Sequence, residues 1–206
     1  MTTSPARPQR ADARRNVESI LDAATATLAR DPDASINEIA KAAGVGRVTL
    51  YGHFENRGVL VAAVVARAMQ DSEASLRDVD LSGDPAAALV RLIEATWQVT
   101  LRYGALVVAA EKSLPAADLA AAHDQPRARV ERLLEHGRDA GRFRSDLPVS
   151  WLVTTMHTVT HAAATSVYAG ELPADQGAGA IAATMLGLLT PPGQVVPGLD
   201  ELRTVR

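Results

Sequence analysis

The chain has 206 residues, no cysteine and a net charge of −3 at neutral pH. That length supports one large domain, or a small one beside a larger one, and the absence of cysteine excludes disulfides, thiolate metal sites and a cysteine nucleophile. No stretch approaches the roughly 18 uninterrupted apolar residues of a membrane span. Residues 1–15 are basic and proline-containing, without the apolar segment of a secretory signal, so a cytoplasmic protein with no membrane contact is expected. Alanine is abundant and aromatics make up only 3% of the chain. Strand signals are almost lacking, and the fold class expected is all-α.

In chain order, residues 1–11 read as a disordered basic arm. A first helix is expected over 12–30, burying Val17, Ile20, Leu21, Ala24 and Leu28, and Asp31-Pro32-Asp33 ends it. Ser35 stands three residues before Glu38, the spacing of a capping box. Ile36, Ile39, Ala40 and Ala43 then come with helical period. Gly44 can take the left-handed conformation that closes a helix, Val45 can plug the angle, and Gly46 is a weak cap for the next helix. From Arg47 to Phe54, Val48, Leu50, Tyr51 and Phe54 can face inward or stack, leaving Arg47, Thr49, Gly52 and His53 outward. A capped short helix, a glycine turn and a second short amphipathic helix make a helix-turn-helix, whose second helix is built to enter a DNA major groove. A long helix is expected over 57–79. Asp84-Pro85 opens the next at its cap and first position, and further helices are expected at 85–102, 105–113, 117–140, 148–169 and 174–190. Pro191, Pro192, Gly193, Pro197 and Gly198 predict an irregular tail over 191–206. About nine helices result: a helix-turn-helix domain over 12–58 and a larger helical domain over 59–190.

Charge is distributed in keeping with that division. Residues 1–68 carry nine Lys and Arg against seven Asp and Glu, a net +2; residues 69–206 carry 12 against 17, a net −5. Only one end is suited to phosphate.

The run IAKAAGVGRVTLYGHFENRGVL resembles the DNA-binding domain of the tetracycline-repressor (TetR) family of bacterial regulators. Its tightest part, A-G-V-x-R-x-T-L-Y-x-H-F-x-x-[KR]-x-x-L, is filled from Ala43 to Leu60, and about 50 residues (roughly 13 to 65) fit the pattern. Gly46, Val48 and Gly52 depart from it, standing where a serine cap, a small residue or proline, and a polar or bulky residue are usual. The resemblance implies a non-enzymatic, sequence-specific transcriptional regulator without cofactor or resident metal. Such a protein is a repressor released from a palindromic operator by a small molecule. Ser35, Arg47, Val48, Thr49, Tyr51, His53 and Arg57 are the expected DNA-binding residues. Arg47 and Thr49 are suited to base edges, Tyr51 and His53 to the backbone, and Arg57 to a phosphate at the start of its helix. The resemblance further implies a ligand pocket in the middle helices, where Trp97, Thr100, Tyr103, Trp151, Met156 and His157 are candidates; an aromatic at helical spacing is also ordinary core. It implies a homodimer through the last two helices, with His161, Ala164, Thr165, Tyr168, Ala182, Met185 and Leu186 as candidate interface.

Two rival readings stay open. His157 and His161, four apart on one helix, could share a divalent metal in a helical metal-binding protein or enzyme, or form a polar pair between helices. His123 and His136 show no partner in the sequence, and Glu111 and Lys112 read as solvated surface. The second rival is a DNA-binding module that answers to no ligand.

Overall fold

The computed structural model describes residues 6–204 except 105, with side chains described from residue 14 onward apart from 107, 108 and 120. The described residues form eleven helices and no strand. They divide into two compact units, one of residues 1–68 with 105–119 and the other of 69–104 with 120–206.

The first unit contains α1 (Ala6–Arg30), α2 (Ile36–Ala42), α3 (Arg47–His53), the first part of α4 (Arg57–Leu76) and α6 (Leu106–Ser113). Its core is Ile20, Ala24 and Leu28 of α1, Ile39 and Ala40 of α2, Leu50 of α3, Phe54, and Leu60, Val61 and Val64 of α4, all buried. The anticipated face of α1 is therefore the one that packs. The capping box at Ser35 forms. Its hydroxyl accepts the Glu38 N–H at 3.3 Å, and the Glu38 carboxylate accepts both the Ser35 N–H and hydroxyl at 2.7 Å. These bonds, to an exposed pair, hold the Glu38 carboxyl below its usual range. Gly44 takes φ +68°. Its N–H reaches Lys41 O at 3.2 Å and the Val45 N–H reaches Ala40 O at 3.1 Å, the paired bonds of a Schellman stop.

The second unit is built on α5 (Pro85–Tyr103), against which α8 (Asp124–Asp139), α9 (Val149–Tyr168), α10 (Gly177–Leu189) and α11 (Leu199–Thr204) pack; α7 (Ala116–Ala122) precedes α8. Leu89, Leu92, Ile93, Trp97, Leu134, Leu152, Ile181 and Met185 form its core. Asp84 caps α5, accepting the Ala87 N–H at 3.0 Å, with Pro85 at the first position as the sequence indicates.

Several expectations are corrected. Residues 6–11 of the expected disordered arm are helical, because Pro8 is tolerated in a first turn; residues 1–5 lie outside the described residues. The single helix expected over 117–140 is broken at His123, since Pro126 lacks the N–H that would bond Ala122 O and its ring would crowd that carbonyl. The tail is not irregular throughout. Its α11 starts after Pro197-Gly198 with Asp200 and Glu201 in the first turn, where the helix dipole favours them. There Leu202 is buried and Arg203 Nε donates to Glu94 Oε1 at 2.9 Å. The boundary drawn at 58/59 falls inside α4, and residues 105–119 rejoin the first unit, an arrangement no single cut in the chain expresses.

Candidate nucleic-acid interface and ligand sites

The second helix of the turn presents an outward row. Leu50 is buried and Phe54 closes the helix beneath it, while Arg47, Val48 and Thr49 are exposed. Val48 is 87% exposed. The Arg47 guanidinium stands 5.4 Å from the Tyr51 ring centroid, within cation–π range, which holds the arginine close to the helix. His53 leans on Phe54, centroids 6.5 Å apart. It also shares a shallow recess with Arg14, Val17 and Glu18 of α1. Arg14 is a neighbour of His53 that the sequence did not single out. It lies 39 positions before His53, and the packing of α1 brings the two to one recess.

Ser35 and Arg57 have partners within the unit. The Ser35 hydroxyl is consumed by the capping box. Arg57 is corrected: its side chain does not stand free for phosphate. Its Nε donates to Ala34 O at 3.2 Å, one terminal nitrogen donates to Pro32 O, and the other to Ser113 Oγ. The guanidinium carries five donors in a rigid planar fork, and here it ties the α1–α2 loop and α6 to the start of α4. Lys112, read as solvated surface, supports the same junction by pairing with Asp33 at 2.7 Å, which lowers the carboxyl's pKa. At α4 the cap is Asn56, whose Oδ1 accepts the Val59 N–H at 3.0 Å.

Gly46 gives α3 no side-chain cap, and a Cβ on Gly52 would meet nothing within 4 Å. Gly52→Ala is therefore expected to stabilise the first unit by about 0.5–1 kcal/mol, by removing unfolded-state freedom without a clash. Thermal melting of the two proteins checks this, and an unchanged or lowered midpoint counts against an open position.

In the second unit the expected pocket residues stand in different environments. Trp97 is core, 2% exposed, its Nε1 donating to Ala174 O at 2.9 Å. Its ring lies so close to Gly177 that a Cβ there would fall 1.9 Å from it. Met156 is also core. Tyr103 is buried and donates to Asp71 Oδ2 at 2.5 Å, and Thr100 donates to Thr96 O at 3.1 Å. Trp151, by contrast, is 59% exposed. A recess on this unit is lined by Gln125, Ala128, Arg129, Glu131, Arg132 and Glu135 of α8, and it touches none of these candidates.

The expected interface residues also sort differently. Ala182, Met185 and Leu186 are buried in the unit's own core, and Ala164 packs there beside Gly104. The larger apolar side chains of α10 turn inward, so its exposed face is Ala180, Ala183, Thr184 and Gly187, the neighbouring register. On α9 Trp151, Thr154, Thr158, Ala162 and Thr165 are exposed, and each of the threonines donates to the carbonyl four residues back. Tyr168 is half-exposed and its hydroxyl donates to Leu101 O. His157 and His161, expected at the pocket and the interface respectively, are bonded to each other, with Nε2 atoms 3.0 Å apart. They belong to one place. His123 joins them edge-on to His157 at 5.4 Å, a neighbour the sequence concealed because it lies 34 positions away. Burial, then the neighbouring imidazole charges, hold the His161 pKa down to about 4; burial, then His123 and Arg127, lower that of His157.

Among the described residues no helix is long and apolar enough to cross a membrane. A sequence profile of "Bacterial regulatory proteins, tetR family" matches residues 20–64. The chain is 34% identical over 139 residues to the HTH-type transcriptional repressor LfrR of Mycolicibacterium smegmatis, covering 66% of this chain and 71% of that one. Its fold resembles the crystal structure of the TetR-like regulator LfrR from Mycobacterium smegmatis in complex with proflavine: TM-score 0.69, 27% identity, 84% of this chain and 94% of that one. It also resembles the ketosteroid transcriptional regulator KstR2 of Mycobacterium tuberculosis: TM-score 0.67, 26% identity, 86% and 95% of the two chains.

Proposed function

The chain belongs to the TetR family of bacterial regulatory proteins, and from that premise we propose that it works as a homodimeric cytoplasmic repressor, releasing a palindromic operator when a small molecule binds its second unit. That it is a DNA-binding transcriptional regulator, and not an enzyme, is a property of the family itself. The observation that carries the finer reading is the outward row of α3. Arg47 can donate twice to a guanine edge, Thr49 offers a hydroxyl and a methyl, and Val48 offers only apolar surface. Tyr51, His53 and the exposed Arg14, which lines one recess with His53, are suited to the DNA backbone.

Val48 has one chemical partner in the major groove, the 5-methyl of thymine. Val48→Ala is expected to weaken operator binding by about fourfold, the equivalent of one buried methyl or slightly more. Replacing the contacted thymine with uracil should weaken the wild type equally and the variant not at all. Fluorescence anisotropy on the four protein–DNA combinations reads this directly; equal sensitivity of both proteins to uracil would remove Val48 from base readout.

Dimerisation is supported by the exposed small-residue faces of α9 and α10 with Trp151 among them. A single head making few phosphate contacts would bind weakly at physiological salt, so symmetry doubles what one head can hold. For the effector, the LfrR relative crystallised with proflavine is the supporting comparison. In this chain α4 runs continuously from residues of the first unit into those of the second. A ligand with higher affinity for one arrangement of the second unit would shift the population away from the DNA-competent form. The whole reading is tested by gel shift on the DNA upstream of the protein's own gene, with excess competitor and then with thermal-shift-selected compounds. A retained complex that the compounds dissolve is the expected result. Loss of the complex to nonspecific competitor would contradict sequence-specific binding, and a complex that no stabilising compound affects would contradict ligand release.

A further inference from the structure

His157 and His161 lie one turn apart on α9, with Nε2 atoms 3.0 Å apart, ring centroids 4.2 Å apart and ring planes at 53°. Two imidazoles meeting head-on through one N–H···N bond would hold their centroids about 5 Å apart. These rings fold toward each other instead. Two nitrogens bound to one cation at about 2.0–2.1 Å lie roughly 2.9 Å apart when they subtend a right angle, and about 3.3 Å apart at the tetrahedral angle. The observed spacing lies within that range, and at an all-imidazole pair the affinity order of divalent first-row ions peaks at copper(II), with nickel(II) below it. We propose that His157 and His161 form a two-imidazole chelate for a copper(II) or nickel(II) ion, whose remaining positions water fills.

The surroundings suit that role. His123 stands perpendicular to His157 and restrains its ring. Arg127, the positive group that faces His157 from α8, is paired with Glu131 at 3.2 Å, so its charge is largely answered. Among the described residues no group of three or more His, Cys, Asp or Glu converges on one point. The chelate is therefore open, an exchangeable site and not a structural cage. On binding, the ring that donates between the two nitrogens moves its proton to Nδ1, so no net proton is released. The site stands on α9 alone and does not depend on the regulator reading.

The test is calorimetric titration of the tag-free full chain with copper(II) or nickel(II) chloride, with electron paramagnetic resonance of the copper form. One ion per chain is expected, with nitrogen hyperfine structure from two imidazoles. Affinity should fall about tenfold or more in both His157→Gln and His161→Gln and stay unchanged in His136→Gln. Wild-type affinity in either Gln variant, no saturable binding by the wild type, or a copper spectrum lacking two nitrogen ligands overturns the proposal. The spectrum decides the matter even if a variant fails to fold.

Discussion

Gly187→Arg is expected to leave the protomer folded, convert the dimer to a monomer and weaken operator binding by about 100-fold or more. Gly187 lies on the exposed face of α10, where a Cβ would meet nothing within 4 Å of its own chain. Arginine in place of glycine also improves helix propensity by roughly 0.8–1 kcal/mol, so nothing within the protomer opposes the change. What it removes is close approach by a second copy. Small residues at positions 180, 183 and 187 let two helix backbones draw together, and a long charged side chain would have to be desolvated there without a partner. Sedimentation velocity reads the assembly, circular dichroism the fold and anisotropy the affinity. A variant that stays dimeric with unaltered affinity would place the interface elsewhere.

Arg57→Ala is expected to act on stability and leave the phosphate count alone. Removing the guanidinium strips Pro32 O, Ala34 O and Ser113 Oγ of their donor. Charge-assisted hydrogen bonds contribute about 1.5–3 kcal/mol each when buried. This side chain is only partly buried and water can replace some of its bonds, so a total loss of roughly 2 kcal/mol is the expectation, or about 5 °C in melting temperature. Arg57→Lys should recover little of it, because one ammonium cannot span three acceptors on a fork. The salt dependence of DNA binding, measured well below the melting transition, should not change. A normal melting curve with a salt slope reduced by about one contact would return Arg57 to the DNA backbone.

How far the chain is legible depends on the range of its signals. Ser35-to-Glu38, Gly44 and Asp84-Pro85 act within four residues of themselves, so the helix-turn-helix and the α5 start are written locally. Arg57 is different. Its position at the head of a helix fits a phosphate contact equally well, and only the return of residues 105–119 to the first unit supplies Ser113 and turns the guanidinium inward. The surroundings of Trp97 were hidden for the same reason: Gly177, the small residue its ring packs against, lies 80 positions on. The buried face of α10 was not legible because the helix is apolar almost all round. Periodicity then cannot say which side holds the core, and side-chain size decides it, with Met185 and Leu186 inside and Gly187 outside. Proline was read well as a terminator at 191–192 but not as the break before Pro126, where its effect falls four residues upstream.

The most direct measurement of the central claim is selection of binding sites from a random-sequence DNA duplex library by the full-length wild-type chain. The account predicts an inverted repeat, with half-sites about one helical turn apart and two chains per duplex. Each half-site should contain a guanine near a thymine whose replacement by uracil weakens binding. Recovery of a single unrepeated element, or of no enriched sequence, would contradict a symmetric dimer reading bases through Arg47, Val48 and Thr49.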